Sequence, residues 1–245
     1  MGLDYLDLYL AHWPCVWDPI SRSALESARA GGGADAATMG IKQSPEDKPV
    51  IDWSHSTSNI ANIKGHKGSF VPTWEAMQAC VTSGKARTVG VSNFSIPELE
   101  ELLPHAQAAE SGGEIPLSCN QVEVHPWLPQ TELVDFAAKH KILITCYSPF
   151  AGQKKDGATL LQDATVKKLA ETKKMDVGQL LGSWAVQRGT VPLGKSATAS
   201  RIKTNLDVKK LGEEDVRVLD GLELEGEEGR TVDFSGAWGV PLFRR

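Results

Sequence analysis

Residues 3–14 read Leu-Asp-Tyr-Leu-Asp-Leu-Tyr-Leu-Ala-His-Trp-Pro. Apolar side chains dominate this run and Pro14 closes it, so it is expected to form a buried strand that delivers His12 to its C-terminal tip. From Pro72 onward the same theme recurs with helices in between. Ala86–Ser92 (ARTVGVS), Leu117–Val124 and Ile142–Tyr147 (ILITCY) are short runs of strand character, and Thr190–Gly194 is a shorter one. Strands that alternate with helices pair in parallel through right-handed crossovers, which makes this an α/β chain. In a parallel barrel the C-terminal tips of all strands share one face.

The helical segments are marked by their ends. Trp74, Met77, Cys80 and Val81 share a helical face that Gly84 terminates. Ser95 with Glu98 forms a capping box opening a helix that turns Ile96, Leu99, Leu102 and Leu103 inward. Further helices are expected at Thr131–His140, Asp163–Lys174 and Val177–Arg188, the last capped by Asp176 with Gln179 and closed by Gly189. Another begins near Thr198. Residues Cys15–Val71 show no period and are rich in Ser, Asn, Lys and Gly, with Ala-Gly-Gly-Gly-Ala at 30–34. That composition is expected to give a long surface loop, mobile near the glycines. The tail from Glu225 is polar and Gly-rich but ends in Trp238, Leu242 and Phe243.

Composition narrows the function classes. A net charge of -5 offers no basic field for nucleic acid or an anionic membrane. No apolar run approaches the length of a bilayer span. Asp4 and Asp7 do not suit a secretory leader, and Leu6 stands where a myristoylation signal wants Ser or Thr. Cys15, Cys80, Cys119 and Cys146 are scattered without metal-ligand spacing and read mainly as small buried hydrophobes. Reduced thiols suit a soluble, cytoplasmic protein.

The strand tips collect the chemistry. They carry His12-Trp13, Ser92-Asn93, Gln121 to His125, Tyr147-Ser148 and Lys195-Ser196. An imidazole, amide and hydroxyl groups, a flat aromatic face and a cationic site together suit a nucleotide cofactor across a barrel mouth. Lys195 and Arg201, with Ser196 and Thr198 at a helix start, suit a doubly charged phosphate, and the 2′-phosphate of NADP fits that description. Singly, each residue has a plainer role. Ser and Asn cap turns, a tyrosine packs a core, and a charged helix start is often merely solvated. Glu123 and His125 share a strand face, but with His12 they give no evident third-ligand geometry, so no metal is expected. His55 and His66 are expected to face solvent, and Trp74 and Trp184 to lie in helix cores.

His-Trp-Pro at 12–14, Gly-Val-Ser-Asn-Phe at 90–94, Asn-Gln-Val-Glu-Val-His-Pro at 120–126 and Tyr-Ser-Pro at 147–149 occur in one order, followed by Lys195-Ser196, Arg201 and Asn205. In residues and order this set resembles the aldo-keto reductase family, nearest its glycerol, glyceraldehyde and xylose reductase-like branch. The resemblance implies a TIM (β/α)8-type barrel, represented here by about its last five βα units. Residues 1–245 would form a single domain incomplete at the N-terminus, with 15–71 inserted over the active-site face.

The implied activity is NADPH-dependent reduction of an aldehyde or ketone to an alcohol. His12 would orient and polarise the small-molecule carbonyl. Ser92, Asn93 and Gln121 would bind the nicotinamide carboxamide, and Tyr147, beside Ser148, would stack on the ring. Lys195, Ser196, Thr198, Arg201 and Asn205 would hold the phosphate end, and Trp13 and Trp238 would line an apolar substrate pocket. Two residues depart from the family pattern: Gly194 stands for its usual proline, and Thr204 for a glutamate near the adenine.

The family's catalytic tyrosine, lysine and aspartate precede its fourth strand and are expected to have no counterparts among these residues, whose tyrosines are Tyr5, Tyr9 and Tyr147. Five strands of eight would leave bare edges, with Leu3–Leu10 an exposed apolar one prone to aggregation. A complete barrel would be a monomer. An incomplete one would need an edge-covering partner or self-association. The alternatives are a non-catalytic NADP-binding or partner-regulating protein, and a hydrolase using His12 and Glu123 without nicotinamide.

Overall fold

The computed structural model describes residues 2–31, 39–106, 115–154 and 156–243. They fall into two compact units, Met1–Leu117 with Phe234–Arg245, and Ser118–Asp233. In the first, strand β1 (Leu6–Ala11) leads to β2 (Val16–Trp17), helix α1 (Arg22–Ala30), β3 (Ile51–Asp52) and α2 (Ser58–Ile63). Then come α3 (Val71–Thr82), β4 (Ala86–Ser92) and α4 (Ile96–Leu102).

The chain continues through β5 (Leu117–Glu123), α5 (Thr131–Lys139), β6 (Leu143–Tyr147), α6 (Ala164–Lys173), α7 (Val177–Gln187), β7 (Val191–Pro192), α8 (Ala199–Thr204) and α9 (Glu213–Asp220). A final turn of helix, α10 (Ser235–Trp238), belongs to the first unit.

Within the first unit β1 and β4 pair in parallel, from Leu6 opposite Ala86 to Ala11 opposite Val91. The two strands are buried unequally. In β4 Val89 and Val91 are fully buried, whereas in β1 Leu8 is 38% and Tyr9 45% exposed. The first run is therefore not the buried strand that its composition predicts. Apolar side chains leave water only where something packs on them, and β4 is the only strand partner of β1 among the described residues.

The stretch expected to be one long loop contains structure. β2 and β3 form an antiparallel pair, with Val16 opposite Asp52. Helix α1 is capped by Ser21, whose hydroxyl accepts from the Ala24 N–H. The start of α2 is held from a distance: the Ser58 N–H and Oγ donate to the Glu101 carboxylate of α4, which also accepts from the Phe70 N–H (2.6, 2.8 and 2.7 Å). Beside it Glu98 accepts from the Ser95 N–H and Oγ and from Asn59 Nδ2. Two carboxylates on one helix thus replace the apolar periodicity that the segment lacks. The expected mobility at Gly32–Gly33 and Ala34 falls outside the described residues.

The second unit has β6 between β5 and β7, all parallel, with Glu123 opposite Tyr147 and Cys146 opposite Pro192. Local signals place its helices well. Asp163 caps α6 by accepting from the Thr165 and Val166 N–H groups, and Asp176 caps α7 by accepting from Gln179. Gly189 takes the left-handed conformation (φ 77°) that ends α7. After α9 the chain returns as a strap whose Gly229 presses on the Trp127 carbonyl. A Cβ there would lie 1.9 Å from that oxygen.

Candidate functional site

In the first unit, the parallel register brings the tips of β1 and β4 abreast. Asn93 follows β4 with φ 65°, a left-handed conformation that asparagine tolerates better than most residues. Its Nδ2 donates to the His12 carbonyl (2.9 Å) and to Ser92 Oγ (3.1 Å). Asn93 thus anchors the backbone that presents His12, in addition to any ligand role. The His12 ring is exposed and lies 5.3 Å from that of Trp13. Partial burial pushes its pKa below 6.5, which favours a neutral imidazole with one N–H to donate.

Trp13 and Trp238, far apart in sequence, meet edge to face at 5.0 Å. Phe234 and Phe243 approach the same indole at 5.8 and 5.9 Å. Trp13 is buried in a cluster with Cys15, Ile60, Val240 and Leu242, while Trp238 is half-buried against it. The polar tail therefore ends in an apolar anchor. His55 and His66 are exposed as expected. The first binds Asp52 (2.7 Å), which also accepts from Ser54, and the second stacks on Trp53.

In the second unit, Gln121 and Tyr147 are half-buried on the paired strands β5 and β6. Burial raises the Tyr147 pKa well above the usual phenol value, and the nearby Glu123 charge raises it further. This phenol therefore stays protonated. The turn after β6 holds two non-glycine residues at positive φ, Ser148 (46°) and Ala151 (55°). Such backbone costs energy and is common at functional sites.

Lys195, Ser196, Arg201 and Asn205 line one cleft of about 360 Å³ together with Phe150, Asp176 and Gly178. Thr198 is the N-cap of α8, where a helix was expected, and is exposed. That helix has only six residues, so the two cations and not its dipole dominate the anion chemistry. Neither cation has an ion-pair partner among the described residues. Asp176 also faces the cleft, but its Oδ1 is engaged by the Gln179 N–H. Gly194 is explained here: a Cβ would lie 2.8 Å from Asn205 Nδ2 and 3.0 Å from the Phe150 ring.

Sequence reasoning did not find the buried node around Glu123. This carboxylate has no exposed surface and accepts from His125 Nε2 (3.1 Å), from the Thr231 N–H (3.0 Å) and Oγ, and from the Val232 N–H (3.2 Å). Arg230 stands 3.8 Å away. Burial alone would raise the Glu123 pKa, but the bonds from His125 and Thr231 outweigh it and hold it below 4.5. The Glu-Val-His alternation correctly puts both side chains together. Nothing in it signals Thr231, which arrives from 108 residues away. Among the described residues no group of three or more His, Cys, Asp or Glu side chains could hold a metal. No described helix is long and apolar enough to cross a membrane.

Comparison with known proteins places these residues in a wider set. A profile described as "Aldo/keto reductase family" matches residues 1–223 and so runs through both units. Over 95% of its length the chain is 37% identical to a glycerol 2-dehydrogenase (NADP(+)) of Saccharomyces cerevisiae, of which it spans 64%. Over its full length it is 33% identical to an aldehyde reductase of the same yeast, spanning 68% of that protein. Among solved structures, an aldose reductase from Giardia lamblia matches 99% of this chain and 69% of its own, with a TM-score of 0.73 at 26% identity.

Proposed function

This chain belongs to the aldo/keto reductase family of oxidoreductases, with that family's TIM-barrel type of α/β fold, and on that premise we propose that it holds NADP(H) and serves NADPH-dependent reduction of an aldehyde or ketone to an alcohol. The observation that carries the cofactor half is the cleft in which Lys195 and Arg201 converge without ion-pair partners among the described residues. Ser196 and Asn205 add hydrogen-bonding groups, Gly178 keeps its part of the wall free of a side chain, and Gly194 lets Asn205 and Phe150 come close to the backbone. This donor set fits a phosphate monoester such as the 2′-phosphate that separates NADP from NAD.

When bound, reduced nicotinamide supplies the hydride that a carbonyl carbon accepts. The chain's own residues then have separate tasks. Ser92, Asn93 and Gln121 bring hydroxyl and amide groups suited to a carboxamide, which needs both a donor and an acceptor. Tyr147, kept protonated by burial, offers a ring face flanked by Ser148. His12, kept neutral, donates an N–H to the substrate oxygen. Trp13 and Trp238 form an apolar wall for the substrate. The 15–71 segment, with its short strands and helices, shapes substrate choice, as variable segments over active sites do. Both units are read as parts of one family domain, corresponding to about the last five βα units of the barrel.

A second reading is favoured by the tyrosines. The Tyr5 hydroxyl accepts from the Arg87 guanidinium at 2.6 Å, Tyr9 projects from β1, and Tyr147 has the stacking task. None matches the family's proton-donating tyrosine motif, so these residues by themselves would bind NADP(H) without turnover.

One experiment separates the readings. NADPH is titrated into the protein by fluorescence, and its consumption is followed with glyceraldehyde. Binding with turnover that His12→Ala lowers by about 100-fold or more supports the enzyme. Binding without turnover supports the non-catalytic reading, and absence of binding overturns both.

A further inference from the structure

Glu123 and Thr231 form a buried node that none of the tasks above uses. Thr231 faces two ways. Its Oγ donates to Glu123 Oε1 and accepts from the Gly152 N–H (2.9 Å). Glu123 ends β5 directly opposite Tyr147, the last residue of β6. Gly152 lies in the turn that leaves Tyr147 through Ser148 and Ala151, the two positive-φ residues. A single hydroxyl therefore links the end of one strand to the strained turn that follows its neighbour.

The contact is close on the glycine side as well. A Cβ on Gly152 would lie 2.9 Å from Thr231 Oγ and 3.1 Å from Thr231 Cβ. The choice of carboxylate also has a physical reason. Its lone pairs meet only donors, from His125, Thr231 and Val232, and a carboxylate accepts from several at once. An amide at this position would turn one acceptor into a donor facing other donors.

We propose that Glu123 and Thr231 are positioning residues: by clamping Gly152 they fix the Tyr147–Ser148 turn in the conformation that receives the nicotinamide end of the cofactor. This inference rests on the NADP(H) reading above. The strap residue Thr231 is thereby a determinant of cofactor geometry although it lies in neither phosphate cleft nor strand tip. The turn without the clamp would relax from its left-handed residues, since nothing in their own chemistry favours that backbone.

The test separates the two ends of the cofactor. Thr231→Val removes both hydroxyl bonds at nearly constant volume, and Thr231→Ser keeps the hydroxyl. Affinities are measured for NADPH and for 2′,5′-ADP, which carries the phosphate end but no nicotinamide. The expected result is an NADPH Kd raised about tenfold in Thr231→Val, the worth of about one buried hydrogen bond. The affinity for 2′,5′-ADP stays at the wild-type value, and Thr231→Ser restores NADPH binding. Gly152→Ala, which presses on the clamp from the other side, reproduces the Thr231→Val pattern.

Unchanged NADPH affinity in Thr231→Val overturns the proposal. Equal loss of both ligands overturns it too, because general destabilisation would do that. A wild-type protein that binds 2′,5′-ADP as tightly as NADPH also overturns it, since the nicotinamide end then gains nothing. Wild-type binding of neither ligand removes the NADP(H) reading itself, and this inference with it.

Discussion

Strands β1 and β5 invert the usual relation between composition and burial. β1 reads Leu-Asp-Leu-Tyr-Leu-Ala, yet Asp7, Leu8 and Tyr9 are all exposed. β5 reads Leu-Ser-Cys-Asn-Gln-Val-Glu, yet Asn120 and Glu123 have no exposed surface. Hydrophobicity states only what a side chain gains if it is covered, and the covering comes from elsewhere in the chain. A polar strand can be buried if donors and acceptors arrive to meet it, as Thr231 and Val232 meet Glu123. An apolar strand such as β1 stays partly wet where no second strand among the described residues pairs with it.

The largest expected effect on this contrast comes from Glu123→Leu. It leaves the Thr231, Val232 and His125 donors without their acceptor and should cost about 3–5 kcal/mol of stability in urea unfolding. Leu8→Ala, its counterpart on β1 at 38% exposure, should cost only about 1 kcal/mol. If the two costs are equal, the contrast is wrong.

Val122→Ala sharpens it within one strand. Loss of two buried carbon groups should cost about 2 kcal/mol, less than the neighbouring carboxylate.

Acidity provides a third handle, because two buried carboxylates shift in opposite directions. The Glu123 pKa is held below 4.5, so its contribution is present above that pH and is lost as pH falls through its folded value. The Glu98 pKa is pushed above 4.5 by burial against its bonds from Ser95 and Asn59. Its contribution is present below 4.5 and is lost as pH rises through its folded value. Urea midpoints measured across this range should lose part of their acid-side fall in Glu123→Gln, and part of their opposite trend in Glu98→Gln.

The smallest change in folding energy is expected of Leu8→Lys, within about 0.5 kcal/mol. It should nevertheless reduce self-association in light scattering, because a charge on an open strand edge blocks edge-to-edge pairing.

What was legible in the sequence was local. Asp163, Asp176 and the Ser95–Glu98 box announce helix starts because cap and target lie within three residues. The β4, β5 and β6 runs were legible to within a residue or two at each end. The motifs at His12, Ser92-Asn93, Gln121, Tyr147 and Lys195 were legible as a set through the resemblance; the structure joins Asn93 to the His12 carbonyl and gathers Lys195 with Ser196, Arg201 and Asn205 in one cleft. Helix α2 of the 15–71 segment was hidden because Glu101, which holds its start, lies 43 residues from Ser58, whereas α1 carries a local cap at Ser21 that the segment's polar composition masked. The meeting of Glu123 with Thr231 was hidden for the same reason as α2, whereas that of Trp13 with Trp238 followed only from the family resemblance and from no local pattern. The last strand, expected at Thr190–Gly194, is shorter, Val191–Pro192.

Gly229 extends this point to a place where there is no side chain at all. Because its α-carbon sits against the Trp127 carbonyl, every other amino acid would push the strap outward. The next residues along that strap are Arg230, Thr231 and Val232, which meet Glu123. A methyl group added at 229 would thus act as a lever on a buried carboxylate it never touches. On the NADP(H) reading proposed above, a screen for variants with altered cofactor affinity would then recover Gly229 among its strongest hits, although it bears no functional group.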